Sequence, residues 1–100
     1  MKSKKEKTLK AYIKSKTKNE EFRLAYEEVK MHFKIAHLIE ELRIKSDMTQ
    51  AQLAKKSSVS QPMIARLEKG DQDRVPTLST INKVFKALGY EVEIGVKKAA

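Results

Sequence analysis

This chain of 100 residues carries 22 lysines and arginines against 13 aspartates and glutamates, a net charge of +9 at pH 7, and its length suits one small domain. Because it has no cysteine, a disulfide framework and a thiolate metal site are excluded. No segment has the ~20 apolar residues that a membrane-spanning helix requires, so we expect a soluble, cytoplasmic protein.

Residues 1–17 are predicted to form a flexible basic arm. The first 18 residues contain eight lysines and a single acid, Glu6, whereas the rest of the chain carries 14 basic and 12 acidic residues. The excess positive charge is therefore concentrated on the arm. This charge is equally consistent with an arm that binds a polyanion and with a solvated tail that has no partner. No apolar stretch follows the lysines, so the arm does not match a signal peptide.

Residues 18–89 are predicted to form an all-α domain. Asn19 offers an N-cap, and the carboxylates of Glu20 and Glu21 suit the positive end of a helix dipole. Two apolar stripes of different rotation follow at helical spacing: Phe22, Tyr26, Val29 and Phe33, then Ile35, Leu38, Ile39 and Leu42. Because the average helix has only about 11–12 residues, we predict two helices that meet near residues 31–33, although one long helix would also fit the pattern.

Two short helices are predicted next. Thr49 and Gln52 have the spacing of a capping box at the start of the first. Ser60 is expected to cap the second, with Pro62 in its first turn, where a missing N–H costs nothing. Gly70 is expected to end it. Since a tight three-residue turn joins the two, they form a helix-turn-helix.

The last predicted helix begins at a Thr77 cap and ends at Gly89. Its apolar positions are Leu78, Ile81, Val84, Phe85 and Leu88. After it, Tyr90, Val92, Ile94 and Val96 alternate with other residues at the period of a half-buried β-strand. Folded chains rarely leave a strand edge open. We therefore predict that residues 90–97 pair with a second copy of the chain, the alternative being that they extend the sheet of another protein.

The second short helix has an outward face suited to reading DNA. If Ile64 and Leu67 are buried, a rotation of 100° per residue defines the opposite side. That side holds Pro62, Ala65, Arg66 and Lys69, with Gln61 at its margin. The Gln61 side-chain amide can donate one hydrogen bond to adenine and accept another. The Arg66 guanidinium can donate two parallel hydrogen bonds to guanine. The alternative is that both are merely solvated polar side chains.

The segment MTQAQLAKKSSVSQPMIARLEKG, residues 48–70, resembles the helix-turn-helix of the phage repressor (Cro/C1, or XRE) family. The shared features are T-Q-x-x-L-A in the first short helix, V-S-Q at the start of the second, and I-x-R-L-E-x-G through its end. The resemblance covers about residues 33–89. It implies a five-helix, lambda-repressor-like domain, here with an extra N-terminal helix region and a short C-terminal β-strand, that binds a palindromic double-stranded DNA operator as a homodimer.

The resemblance also implies roles for individual residues. Family positions that match Gln61 and Arg66 read bases, and Pro62 stands where another base reader is common. Gln50 matches a position that contacts phosphate and braces the recognition helix. Residues that flank the readers suit phosphate contacts. The complete expected DNA-binding set is Gln50, Ser60, Gln61, Pro62, Arg66 and Lys69.

Arg43 is the family's usual partner for the glutamate at position 68, and we expect the Arg43–Glu68 ion pair to be structural. Two features depart from the family. Serine stands at position 58, where the turn tends to need a positive φ and glycine is frequent. The loop over residues 71–75 is longer than usual and carries two acids, which would repel phosphate if the loop lay against DNA; the loop would otherwise face another protein.

The helix before the motif and the strand after it resemble those of HigA and HipB antitoxins. This implies the antitoxin of a type II toxin–antitoxin system, which neutralises a RelE/HigB-like ribonuclease toxin and represses its own operon. Phe22, Tyr26 and Val29 would then bind the partner, although the same stripe fits a buried core equally well. The alternative function is a stand-alone XRE-type transcriptional regulator without a toxin.

No enzyme, metal site or cofactor is predicted. His32 and His37 lie five residues apart, about 140° around a helix, so they do not share a ligand face. His37 and Glu41 are one turn apart and form a simple surface pair. The sequence has no glycine-rich phosphate loop and no nucleophile–base arrangement.

Overall fold

A computed structural model describes residues 20–71 and 75–100. The helices of this part of the chain are α1 (Glu20–Lys45), α2 (Gln50–Ser57), α3 (Gln61–Lys69) and α4 (Leu78–Ala87). The predicted basic arm and its following Asn19 cap lie outside the described residues, as does the middle of the loop over residues 71–75. The chain divides into two units, Met1–His32 and Phe33–Ala100, and α1 contributes residues to each.

Residues 20–45 form one continuous helix, so the predicted break near residues 31–33 is wrong. α1 runs uninterrupted for 26 residues, and the described residues contain four helices rather than five. The segment has no glycine and no proline, the residues that most often end or kink a helix. The rotation between the two apolar stripes therefore does not mark a break in the backbone.

In the first unit, the described part of α1 carries apolar side chains that face solvent. Leu24, Tyr26 and Met31 are exposed, whereas Phe22 and Val29 are half-buried. The predicted stripe of Phe22, Tyr26 and Val29 is therefore not a fully buried core.

The second unit has its core where its helices meet. The largest fully buried side chains are Ile39, Leu53, Ile64 and Val84, one from each of the four helices. Each helix thus buries one aliphatic stripe, and fully burying such a side chain contributes about 1.5–3 kcal/mol. The expected burial of Ile64 and Leu67 is confirmed. Leu78, one of the apolar residues of the last predicted helix, is the first residue of α4 and is 70% exposed.

The helix caps predicted at Thr49, Ser60, Gly70 and Thr77 are confirmed. The amide of Gln52 donates to the Thr49 hydroxyl at 3.1 Å, and the Gln52 side-chain oxygen accepts from the Thr49 amide at 2.8 Å, which completes the capping box. Ser60 and Thr77 each accept from the amide three residues on. Gly70 ends α3 in the left-handed conformation, with φ 71°. These caps fix where the two helices of the helix-turn-helix begin and end.

The predicted C-terminal β-strand is not present in the single chain. The Tyr90 amide donates to the Phe85 carbonyl at 2.9 Å, and residues 91–100 then form no ladder with any described part of the chain. A strand is defined by its hydrogen-bonded neighbour, and the described chain offers none. Pairing with a second copy stays a prediction.

Candidate nucleic-acid interface

The turn between α2 and α3 is held in a conformation that serine adopts at a cost. Ser58 lies in the left-handed region, with φ 58° and ψ 32°, which costs about 1–2 kcal/mol for a residue with a Cβ. The Val59 amide donates to the Ala54 carbonyl at 3.1 Å, and the buried Ser57 hydroxyl donates to the Leu53 carbonyl at 2.7 Å. These bonds stabilise the turn that sets the direction of α3.

α3 presents the outward face expected of a recognition helix. Ile64 and Leu67 are buried against the core, whereas Gln61, Pro62 and Lys69 are exposed. Arg66 is half-buried, which fits an arginine whose apolar stem lies along the helix. The structure thus brings four of the six expected DNA-binding residues onto one side of a single helix.

Two polar side chains on this face have no intramolecular partner within residues 20–71 and 75–100. Neither the Gln61 amide nor the Arg66 guanidinium has a hydrogen-bond or ion-pair partner in these ranges. Within this part of the chain, an external ligand could bind both side chains without breaking a contact that they make. The base edges of the DNA major groove present complementary groups.

Glu68, at the edge between the outward and buried sides of α3, is held by the preceding helices. Arg43 of α1 donates from Nε to Glu68 Oε2 at 2.7 Å and from Nη2 to Glu68 Oε1 at 3.0 Å, a two-pronged contact. Gln50 of α2 also donates to Glu68 Oε1, at 3.3 Å. The Glu68 side chain is only 5% exposed. One carboxylate therefore ties the recognition helix to both α1 and α2.

Arg43 is itself fixed on a second side. Its Nη1 donates to the Met48 carbonyl at 2.7 Å, in the connection between α1 and α2. The hydrogen bond to Glu68 raises the pKa of Arg43, and the negative charges of Glu68 and Glu40 raise it further, against the lowering effect of burial. The Met48 contact has no signal in the sequence, because every residue offers a backbone carbonyl.

Phe33 of α1 packs at the end of α3, a contact that sequence reasoning missed. A Cβ added at Gly70 would lie 3.0 Å from Phe33 Cδ1. Glycine is thus required at position 70 both by its positive φ and by the aromatic ring beside it. The helical spacing had grouped Phe33 with the apolar stripe to its N-terminal side, and no local feature of the sequence indicates its neighbour.

Further basic side chains lie on α2. Lys55 and Lys56, in its last turn, are both exposed.

Of the loop over residues 71–75, the structure describes Asp71, which is half-buried, and Val75, which is exposed. Of the two loop acids expected to repel DNA, Asp71 is described and Asp73 lies outside the described ranges.

The described residues show no arrangement for holding a metal. No group of three or more His, Cys, Asp and Glu side chains comes together within residues 20–71 and 75–100. His37 Nε2 lies 3.4 Å from Glu41 Oε2 on the surface of α1, the i, i+4 pair expected from the spacing.

None of the four helices in the described ranges combines the length and the apolar character needed to cross a membrane.

A family model described as helix-turn-helix matches residues 39–94, more than half of the chain. The matched range begins in α1, contains α2, α3 and α4, and extends into the segment after α4. Comparison with curated proteins and with solved structures gives no match.

Proposed function

The chain belongs to the XRE-type helix-turn-helix family of DNA-binding regulators, and from this membership we propose that it is a homodimeric repressor that reads a palindromic operator through α3. The observation that carries the proposal is that α3 presents polar side chains outward while Glu68 of the same helix is bonded to neighbouring helices. Gln61 and Arg66 on its outward side have no partner within the described residues, while Glu68, at the edge of that side, fastens the helix to α1 and α2. A recognition helix must be held rigidly if its side chains are to distinguish bases.

In this proposal Gln61 reads adenine and Arg66 reads guanine, each with two hydrogen bonds in the major groove. Pro62 cannot hydrogen-bond a base, so its contact is apolar. Phosphates are bound by Gln50, Ser60 and Lys69. The basic arm, residues 1–17, adds phosphate contacts that do not depend on base sequence.

Replacement of Arg66 by alanine is expected to weaken operator binding by about 1–3 kcal/mol, or roughly 5–150-fold, because the guanine loses its bidentate partner. Binding to non-specific DNA should change little. The operator is first selected from a random DNA library, and affinities are then measured by fluorescence anisotropy at several salt concentrations.

The matched control is Lys69→Ala on the same helix. Loss of one phosphate contact in each subunit should weaken both DNAs to a similar extent and lower the salt slope by about 0.9 per contact. If Arg66→Ala behaves like this control, Arg66 contacts phosphate only and its assignment as a base reader is wrong.

The homodimer is proposed to form through the C-terminal segment. A dimer is needed because one recognition helix specifies only a few base pairs, whereas two half-sites about 34–36 Å apart are read by a twofold pair. Tyr90, Val92, Ile94 and Val96 supply the contact. Their exposure in the single chain supports this assignment, since a second copy would cover them.

For the cellular role, we propose the antitoxin of a type II toxin–antitoxin pair, which binds a RelE/HigB-like ribonuclease with the surface formed by Phe22, Tyr26 and Val29. The observation that favours this role over a stand-alone regulator is the exposure of Tyr26 in a helix that begins ahead of the matched family domain. Tyrosine is enriched among the residues that dominate protein interfaces.

Tyr26→Ala is expected to weaken binding of the toxin by about 2 kcal/mol, roughly 30-fold, without changing operator affinity. The candidate toxin is any small basic protein found to be encoded in a reading frame next to this one, and the readouts are its dissociation constant and the rescue of growth on co-expression. Leu24→Ala is the matched control, because Leu24 is also exposed but lies nearly opposite Tyr26 around α1.

A loss with Leu24→Ala and none with Tyr26→Ala would place the toxin on the other side of the helix. If neither variant matters and no adjacent product binds, the protein acts as a stand-alone regulator.

A further inference from the structure

We infer that residues 90–98 pair with the same segment of a second copy in one register, antiparallel and with the twofold axis at Ile94. The inference rests on the homodimer proposed above and specifies its contact. In this register Ile94 lies opposite Ile94 of the second copy, Val92 opposite Val96, and Glu91 opposite Lys97. Every other choice of direction or axis makes a worse set of pairs.

Parallel pairing in register is disfavoured by charge. It would place each residue beside its own copy, so that Glu91, Glu93 and Lys97 would each face a like charge. Like charges directly opposite each other destabilise a strand pair. Antiparallel pairing instead brings the acidic beginning of one segment against the basic end of the other.

Apolar residues alternate with other residues along the segment. This pattern requires the twofold axis of the dimer to pass through a residue position rather than between two adjacent residues. Directly opposed residues in an antiparallel pair project to the same face of the sheet. An axis between Glu93 and Ile94 would therefore put those two side chains on one face and mix the apolar and charged sets. An axis on a residue keeps Val92, Ile94 and Val96 together on one face.

Among axes on a residue, Ile94 gives the largest number of favourable pairs. An axis at Val92 places Glu91 opposite Glu93, and an axis at Glu93 places that carboxylate opposite itself. An axis at Gly95 pairs Glu93 with Lys97 but leaves Val92 opposite Lys98, on the apolar face. The axis at Ile94 gives two Glu91–Lys97 pairs and three apolar pairs, with Glu93 opposite Gly95. Tyr90 lies opposite Lys98 only at the two ends of the paired segment.

The exposure of the apolar side chains fits this register. Tyr90 and Val92 are 44% and 40% exposed, whereas Ile94 and Val96 are 73% and 99% exposed. The segment therefore leaves its own domain as it proceeds. With the axis at Ile94, the most exposed residue of one copy, Val96, lies opposite Val92 of the other, where the domain already provides partial cover.

The absence of cysteine from the natural sequence allows a direct test by cross-linking. Ile94→Cys should form a disulfide-linked dimer on mild oxidation, because the two Cα atoms lie within the roughly 4.4–6.8 Å that a disulfide spans. Gly95→Cys and Val92→Cys should not, since each would lie two or more residues out of register with its copy. An equimolar mixture of Val92→Cys and Val96→Cys should cross-link as a heterodimer.

Charge reversal gives an independent readout on the reduced proteins. Lys97→Glu should raise the dimer dissociation constant about tenfold, since both Glu91–Lys97 pairs become repulsive. Adding Glu91→Lys should restore it, whereas adding Glu93→Lys, the matched control, should not.

Sedimentation separates failure of the register from failure of the dimer. Cross-linking through Gly95→Cys, or rescue by Glu93→Lys, would overturn the axis at Ile94 while leaving the strand dimer in place. A dimer that cross-links at none of these positions would overturn the inferred contact. A monomer at every concentration used would overturn the proposed homodimer itself.

Discussion

Replacement of Arg43 by alanine is expected to lower the free energy of unfolding by about 3–5 kcal/mol, the usual cost of removing one partner from a buried ion pair. The loss is large because the Glu68 side chain is almost fully buried and would lose both guanidinium donors, keeping only the longer hydrogen bond from Gln50. The bond from Arg43 to the Met48 carbonyl would be lost as well. Urea denaturation followed by circular dichroism measures the change.

Two further variants isolate the cause. Replacing both partners with apolar residues, Arg43→Met with Glu68→Leu, should recover most of the stability, because no buried charge is left unpaired. His37→Ala, which breaks the exposed pair with Glu41 on the same helix, should change stability by less than about 1 kcal/mol. If Arg43→Ala costs no more than His37→Ala, the Glu68 carboxylate reaches solvent once its partner is gone.

The double apolar variant also tests what the ion pair does for DNA binding. It should remain folded but bind the operator less tightly than the natural protein, since Glu68 joins α3 to both α1 and α2 through directional bonds. Apolar replacements fill the space without fixing the helix in one orientation. Full operator affinity in this variant would show that packing alone positions α3.

The ion pair should add no pH dependence through Arg43 in the neutral range. The pKa of Arg43 is raised in the folded protein, so its contribution to stability is fully present below the unfolded pKa and is lost only as the pH rises through the raised value. That window lies in strong alkali, where arginine in the unfolded chain also begins to lose its proton.

Much of the helix-turn-helix could be predicted from the sequence because its signals are local. The capping box at Thr49, the Ser60 cap and Gly70 each act within a few residues, and the buried positions Ile64 and Leu67 repeat at the helical period. Contacts between different helices are harder to predict, because the residues that meet are far apart in the sequence. The Arg43–Glu68 pair was expected only through the family resemblance, and the packing of Phe33 on Gly70 was not expected at all.

The continuity of α1 was missed for a different reason. A change in the orientation of an apolar stripe predicts a change of helix, and average helix length favours the same interpretation. The sequence of residues 20–45 contains no glycine or proline to break the helix, and the helix is continuous. Side-chain spacing alone does not distinguish one helix from two.

The C-terminal segment has the sequence pattern of a β-strand but no strand partner among the described residues of the single chain. Its alternation is a property of the sequence, but a strand also needs a hydrogen-bonded neighbour. If that neighbour is a second copy, a chain ending after Gly89 should be a monomer. Its helices should persist, because their caps and buried stripes precede the cut. A chain ending after Lys98, which loses only two alanines, is the matched control and should remain a dimer.

Loss of the dimer should reduce operator affinity by about 10²–10⁴-fold, the gain that linking two binding modules commonly provides. Ile94→Lys should have the same effect without shortening the chain, since it places two like charges together on the apolar face. Because Ile94 is largely exposed in the single chain, this substitution should leave the monomer's stability nearly unchanged. Sedimentation equilibrium and operator titration, with circular dichroism for helix content, give the three readouts. A truncated chain that stays dimeric with full operator affinity would place the twofold contact on the helices and free the segment for another protein.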